Sequence, residues 1–144
     1  MGSEPSTGPA AVLERLHTAM NQRDLDGFLE CFDENYHSAQ PAHPDRVFRG
    51  REQVRTNWSG IFRGVPDFQA RLLNSTVQGD TAWAEWQWSG TRLDGTRLHM
   101  CGVTVFGVQA GRIIWGRLYM EPVRAAGPGI DAAVTEMANG VERS

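Results

Sequence analysis

The first half of the chain carries apolar residues at helical spacing. They recur every three or four positions among polar residues, which predicts three amphipathic helices. The first helix begins at Pro9, the second is capped by Asp24 or Asp26, and the third spans residues 50–62. The proline-containing stretch from 36 to 46 is predicted to be non-helical.

The second half of the chain has strand character. Four strands are predicted over residues 68–77, 81–91, 96–108 and 112–123. Tight turns at Asp94-Gly95 and Ala110-Gly111 would join the last three strands into an antiparallel meander. Helices followed by strands predict an α+β fold, in which a curved antiparallel sheet wraps around the N-terminal helices.

The two turns also predict a register, and therefore which side chains share a face of the sheet. If the turn residues lie at the hairpin tips, Thr104 lies opposite both Glu85 and Arg117. One face then collects an amphipathic set: Trp83, Glu85, Gln87, Thr104, Trp115, Arg117, Tyr119 and Glu121. The other face is almost entirely apolar, includes Trp86, Trp88, Val103, Val105, Leu118 and Met120, and is predicted to be core or subunit interface. We predict that the amphipathic face lines a ligand pocket.

Glu121, at the end of the last predicted strand, is the leading catalytic candidate. A carboxylate beside Trp83 and Trp115 would lose hydration, which raises its pKa toward the range that is useful for proton transfer. Tyr119 and Gln87 could then hydrogen-bond a developing oxyanion. The structural alternative is that the carboxylate only pairs with an arginine at the rim of the sheet.

Further polar residues could complete such a site. Glu85 and Arg117 are predicted to form a salt bridge that orients either a ligand or the candidate base. His37 is a candidate proton carrier at the pocket mouth, because the unperturbed pKa of histidine is near neutral. His37, His43 and Asp45 could also be metal ligands, but their spacing matches no metal-binding motif, and no metal or other cofactor is predicted.

Five tryptophans in so short a chain divide between two roles. Trp58, Trp83 and Trp115 are predicted to line the pocket, where aromatic rings supply apolar contact area. Trp86 and Trp88 are predicted to be sheet core or dimer interface.

Composition excludes several functional classes. A net charge of −3, without a basic run, argues against nucleic acid as a partner. All 14 basic residues are arginine, which excludes chemistry through a lysine Schiff base. Two cysteines are too few for a disulfide framework, and no membrane span or signal core is recognisable, so a cytoplasmic protein is expected.

A chain of 144 residues has the length of one domain. We predict a flexible arm over residues 1–8, a single domain over 9–124, and a tail over 125–144 with a short helix at 130–138.

Two segments carry a family resemblance in combination. They are Phe48-Arg-Gly-Arg-Glu-Gln-Val54 and Gly111-Arg-Ile-Ile-Trp-Gly-Arg-Leu-Tyr-Met-Glu121. With the helices before them and the meander between them, they resemble the nuclear transport factor 2-like superfamily, within it the SnoaL-like polyketide cyclases and limonene epoxide hydrolase. The resemblance spans about residues 10–123 and implies a cone-shaped sheet around one deep pocket, commonly in a homodimer. Relatives with this cone include enzymes and proteins that only bind or assemble, so the fold does not settle function.

The resemblance implies roles at a few positions. Glu121 falls where the cyclases and the epoxide hydrolase place an aspartate. Glu85 and Gln87 fall where the hydrolase carries an arginine and an aspartate, so its Asp-Arg-Asp arrangement is not reproduced. His37 falls within one residue of that enzyme's water-orienting tyrosine.

Three functional hypotheses follow. The first is a cofactor-independent enzyme that acts by acid/base catalysis on a small polycyclic or terpenoid ketone, aldehyde or epoxide, as a cyclase, isomerase, dehydratase or hydrolase. The second is a non-catalytic protein that binds a small hydrophobic ligand. The third, a dimerisation scaffold, is least favoured, because burying so many polar groups without a purpose is costly.

Overall fold

The computed structural model of the chain describes residues 7–140. Its elements in chain order are α1 (Pro9–Gln22), α2 (Leu25–Glu30), β1 (Phe32–Ala39), a short 3₁₀ turn (Pro44–Arg46), β2 (Phe48–Arg49), α3 (Arg51–Gly64), β3 (Gln69–Gln78), β4 (Thr81–Thr91), β5 (Arg97–Gln109), β6 (Arg112–Pro122) and α4 (Ile130–Asn139). The predicted N-terminal arm lies outside the described residues apart from Thr7 and Gly8.

The three predicted helices and the tail helix are confirmed, and local chemistry explains their ends. Pro9 occupies the first turn of α1, where its missing N–H costs no helical hydrogen bond. The same helix ends at Arg23, whose left-handed conformation (φ 52°) reverses the chain. Asp24 then caps α2, since its Oδ1 accepts a hydrogen bond from the Gly27 N–H at 3.1 Å.

The described strands form one curved sheet with the order β2-β1-β6-β5-β4-β3. Neighbouring strands are antiparallel except for β1 and β6, which are parallel. This confirms the predicted α+β class. Strands β1 and β2 were not predicted, because Asp33, Glu34 and Asn35 interrupt the apolar alternation of β1 and β2 has only two residues.

The predicted register between β4 and β5 is wrong by one residue. Glu85 lies opposite Val103, not opposite Thr104. The reason is the turn: the Arg92 N–H donates to the Thr96 carbonyl at 2.8 Å, which leaves a loop of three residues instead of two. Gly95 takes the positive φ (88°) that such loops require near their end.

The register between β5 and β6 is correct at the turn but not beyond it. Val108 lies opposite Ile113 as predicted, but a bulge after Gly107 shifts the pairing, so Thr104 lies opposite Leu118 and not Arg117. The Trp115 ring covers Gly107 so closely that a Cβ at this glycine would fall 1.9 Å from the indole nitrogen. Glycine within a strand often signals a bulge, and here Gly107 lies where the β5–β6 register shifts.

The concave face of the sheet is the apolar one and packs on the helices. Its buried side chains are Ala84, Trp86, Trp88, Thr104, Phe106 and Met120. Trp86 and Trp88 are therefore core residues, as predicted. The amphipathic set lies on the convex face instead, except for Thr104, which the two register shifts place on the concave side.

Candidate functional site

A cavity of about 480 Å³ lies between the concave face of the sheet and the helices. This volume falls within the usual range of small-molecule sites. The wall is mainly aromatic and aliphatic: Phe28, Phe32, Trp58, Phe68, Trp86, Trp88, Phe106, Leu118 and Met120 belong to it. The cavity is thus suited to an apolar ligand.

Three hydroxyl groups interrupt this apolar wall. They belong to Tyr36, Ser38 and Thr104, each at most 3% exposed. Burial raises the pKa of Tyr36 from 10.0 to about 12, and a hydrogen bond with the Ser38 side chain partly offsets the shift. Tyr36 is therefore neutral near pH 7 and able to donate a hydrogen bond.

A glycine on the neighbouring strand, Gly116, makes room for the Tyr36 phenol. A Cβ at Gly116 would fall 2.4 Å from the Tyr36 oxygen, so β6 leaves the space that the hydroxyl occupies. Ser38 lies opposite the same glycine in the β1–β6 pairing. The β1 alternation thus directs Tyr36 and Ser38 into the cavity and His37 away from it.

Two indole N–H groups lie in the same wall. The Trp86 Nε1 donates to Thr104 Oγ1 at 2.9 Å. The Trp88 Nε1 is buried without a hydrogen-bond partner among the described residues, and its ring packs edge-on against Trp58 at 5.4 Å between centroids. An unpaired buried donor is costly, so this wall retains unused hydrogen-bonding capacity.

The cavity opens beside more polar side chains, those of Gln40, Arg46, Asn57 and Arg92. The Arg46 Nη1 donates to Gln40 Oε1 at 3.0 Å. No aspartate, glutamate or histidine of residues 7–140 belongs to the cavity wall. The described part of the lining therefore lacks the three side chains that most often act as general acids or bases in enzymes.

Of the nine predicted site residues, only Trp58 lines the cavity. Seven others lie on the convex face, in β4 and β6: Trp83, Glu85, Gln87, Trp115, Arg117, Tyr119 and Glu121. His37 shares that face, because it pairs with Trp115 in the register of β1 and β6. The prediction that the amphipathic face lines the pocket is wrong, since the helices cover the apolar face instead.

Glu121 and Arg117 have other partners than those predicted. The Glu121 carboxylate pairs with His43 Nε2 at 2.8 Å, and both side chains are partly exposed. The predicted Glu85–Arg117 salt bridge is not formed; the Arg117 guanidinium lies over the Trp115 ring, 4.8 Å from its centroid. The bulge and the one-residue shift between β4 and β5 together explain this change, because they align Arg117 with Val105 and Trp83 instead of with Glu85.

The sequence interpretation missed Tyr36, Ser38 and the two arginines at the opening. It also assigned Trp86 and Trp88 to the core or an interface and not to the pocket, although both line the cavity. Tyr36 is the neighbour of His37, so the resemblance to the epoxide hydrolase indicated the correct strand but the wrong face. The available signal was the pair Tyr36 and Ser38, which alternate with the charged and polar residues of β1.

Within residues 7–140, no cluster of three or more histidine, cysteine, aspartate or glutamate side chains could hold a metal ion. No helix among the same residues is long and apolar enough to cross a bilayer.

Solved structures with the same fold include both enzymes and uncharacterised proteins. A SnoaL-like protein of Jannaschia sp. CCS1, assigned to the polyketide cyclases, is 19% identical over 99% of this chain and 100% of its own, with a TM-score of 0.67. An LEH-like epoxide hydrolase of M. tuberculosis is 18% identical over 76% of this chain and 80% of its own, with a TM-score of 0.66. Bal32a, from a soil-derived mobile gene cassette, is 26% identical over 77% of this chain and 87% of its own, with a TM-score of 0.65.

None of the curated proteins compared with the chain matches it. The family model of the SnoaL-like domain matches residues 13–115, which include α2, α3 and β1 to β5. The chain belongs to the SnoaL-like domain family and has the nuclear transport factor 2-like fold.

Proposed function

We propose that the protein binds a small, largely apolar molecule in the cavity between the sheet and the helices. The observation that carries this proposal is the cavity itself, about 480 Å³ in volume with an aromatic and aliphatic wall. Moving such a molecule from water onto this wall is favourable, at about 25 cal/mol for each Å² of apolar surface removed from water. A natural ligand also carries an oxygen atom, which Tyr36, Ser38 or Trp88 can hydrogen-bond.

The lining favours binding over acid/base catalysis by a carboxylate. A general base must lie within hydrogen-bond reach of the proton that it removes. Glu121, the leading candidate from sequence, pairs with His43 outside the lining, and no other carboxylate of the described residues belongs to the wall. The binding hypothesis therefore fits the geometry better than the enzyme hypothesis in its original form.

A second candidate function is catalysis through Tyr36, and one observation favours it. The Tyr36 hydroxyl is a buried, neutral donor in the cavity, which is the type of group that stabilises a developing oxyanion. Such an enzyme would be a cofactor-independent cyclase or isomerase that holds its substrate in a reactive conformation and polarises one carbonyl.

Ligand screening with product analysis separates these two functions. Wild type and Tyr36→Phe would be incubated with polycyclic ketones, steroids, terpenoid epoxides and long-chain alcohols, with thermal stabilisation and chromatography as readouts. Binding by both proteins without product supports the binding function. Product from wild type alone, with binding by both, supports catalysis through Tyr36. Absence of stabilisation by every compound class would contradict the proposal.

A further inference from the structure

The side chains at the wall of the cavity carry charge of only one sign. Arg46 and Arg92 belong to the lining, while no carboxylate of the described chain does. Both arginines are exposed, whereas Tyr36 and Thr104, which line the same cavity, are buried. The two guanidinium groups therefore lie where the cavity meets solvent.

The strand directions and the loop after β1 together bring both arginines toward the same end of the sheet. Strands β4 and β6 are each antiparallel to β5, and β1 is parallel to β6, so β1, β4 and β6 all run in one direction. Arg92 follows the end of β4, and Arg46 lies in the 3₁₀ turn after β1. The two strands do not end level with each other, since Ala39 at the end of β1 aligns through Arg117 with Val105 and Trp83, near the start of β4. The loop after β1 continues toward the Arg92 end of the sheet, because its His43 contacts Glu121, which aligns through Cys101 with Gln87. Since β6 and β5 lie between β1 and β4, the two arginines reach the cavity lining from opposite sides.

Neither guanidinium is neutralised by a direct ion pair. Arg46 donates to the neutral side chain of Gln40 at 3.0 Å. Arg92 donates through Nη1 to the Arg97 carbonyl at 2.6 Å and to Thr96 Oγ1 at 3.3 Å. Among the described residues, no carboxylate lies within 4.0 Å of either group. Since each guanidinium has five N–H donors, both keep donors for a further partner.

The nearest acidic side chain in the Arg92 hairpin is Asp94, which is engaged elsewhere. Its Oδ1 accepts hydrogen bonds from the Thr96 hydroxyl at 2.7 Å and from the Thr96 N–H at 3.0 Å. These bonds are the main reason that the pKa of Asp94 is lowered, and the charge of Arg92 contributes less. Asp94 therefore stabilises the turn without pairing directly with Arg92, whose bonds to Thr96 and Arg97 use Nη1 and leave Nε and Nη2 to face other partners.

We propose that the ligand of this cavity is an amphipathic anion whose apolar body contacts the aromatic wall and whose carboxylate is held at the opening by Arg46 and Arg92. This inference rests on the proposed binding function and narrows it to one ligand class. A planar guanidinium matches a carboxylate in two parallel hydrogen bonds, which gives orientation as well as affinity. The neutral ketones and epoxides expected from sequence could accept hydrogen bonds from these arginines but would not balance their charge.

Calorimetric titration of matched probes tests the inference. Decanoate and 1-decanol share an apolar chain, as do 1-pyrenebutyrate and 1-pyrenebutanol, and each pair differs only in its head group. We expect wild type to bind each acid at least about tenfold more tightly than its alcohol, because hydrogen bonds to charged groups are the stronger ones. Added salt should weaken the binding of the acids only.

Arginine variants test whether Arg46 and Arg92 cause the preference for acids over alcohols. In Arg46→Gln/Arg92→Gln, the affinity for each acid should fall to that for its alcohol, while the affinity for the alcohols stays within about twofold of wild type. Arg112→Gln is the matched control, since Arg112 is an exposed arginine outside the cavity lining, and it should bind all probes as wild type does. Circular dichroism melting would establish that the variants fold.

The outcomes separate this inference from the proposed function. Equal affinity for acids and alcohols would overturn the anion inference and leave binding intact. Absence of binding by all four probes would contradict both. Decyl sulfate is a fifth probe: if it binds more tightly than decanoate, it overturns the choice of a carboxylate while still supporting an anionic head group.

Discussion

Thr104 is 2% exposed, and its Oγ1 accepts the hydrogen bond that the Trp86 indole N–H donates. In Thr104→Val the shape is kept but the Trp86 N–H loses its acceptor, so we expect the free energy of unfolding to fall by about 1–3 kcal/mol. Urea denaturation measures this change. Thr104→Ser, which keeps the acceptor and removes one methyl group, is the control and should lose about 1 kcal/mol or less. Equal stability of wild type and Thr104→Val would contradict the assigned hydrogen bond.

Alkaline pH should destabilise the protein through Cys31 and Tyr36. Burial raises the pKa of Cys31 from 9.0 to about 11 and that of Tyr36 from 10.0 to about 12. As the pH rises, the unfolded chain therefore loses these protons before the folded chain does. The contribution of the two groups to the free energy of unfolding is complete below about pH 9 and is lost between about pH 9 and 12. Urea denaturation at a series of pH values should detect this loss.

Cysteine variants test whether Cys31 causes the first part of that loss of stability. Cys31→Ala should delay its onset from about pH 9 to about pH 10, where Tyr36 takes over, because only a group with a shifted pKa contributes to the slope. Cys101 is exposed, so Cys101→Ala should leave the onset unchanged. An onset that does not respond to Cys31→Ala would contradict the assignment.

At the scale of elements, Gly102 is needed for the pairing of β5 with β6. It adopts a positive φ of 153°, and a Cβ there would fall 2.0 Å from the Tyr119 carbonyl oxygen. Gly102→Ala must displace backbone, so we expect a loss of at least about 2 kcal/mol in the free energy of unfolding. Gly60→Ala is the control: Gly60 lies within α3 with open space around it, so alanine should stabilise the helix by about 0.5–1 kcal/mol.

The helices and the β3–β6 meander could be predicted from sequence because each has a strong local signal. Helical periodicity defines α1 and α3, and Asp24 marks the start of α2. Strand β1 has no comparable signal, since it packs only part of its length against the helices and its polar residues face outward. Its partner β6 is also distant in sequence, and parallel pairing leaves no turn to recognise.

Most of the candidate site could not be predicted for a related reason. A strand pattern separates an apolar face from an amphipathic one, but it does not say whether helices or a second subunit cover the apolar face. Tyr36 and His37 are neighbours on β1, and only the first reaches the cavity. Trp58 was predicted correctly because it lies on a helix whose apolar stripe has a single direction in which to pack.

At the scale of the whole molecule, the family resemblance implies a homodimer, and we propose the convex face of the sheet as its interface. Trp83 and Tyr119 on that face are 46% and 42% exposed, and exposed tryptophan and tyrosine side chains are the type that protein interfaces favour. Sedimentation equilibrium should give a dimer for wild type and a monomer for Trp83→Arg. Leu93→Arg changes an exposed leucine in the turn after β4 and should remain dimeric. A monomeric wild type would contradict the prediction.

The central claim is that ligand occupies the concave cavity and not the amphipathic convex face. Its most direct test is calorimetric titration of decanoate and 1-pyrenebutyrate into wild type, Leu118→Trp and Glu85→Gln. Leu118 lines the cavity, so a larger ring there removes ligand volume, whereas Glu85 is exposed on the convex face. We expect Glu85→Gln to bind within about twofold of wild type and Leu118→Trp to lose at least about tenfold in affinity, with each factor of ten equal to about 1.4 kcal/mol. Retained binding in Leu118→Trp together with lost binding in Glu85→Gln would contradict the claim and move the site to the convex face.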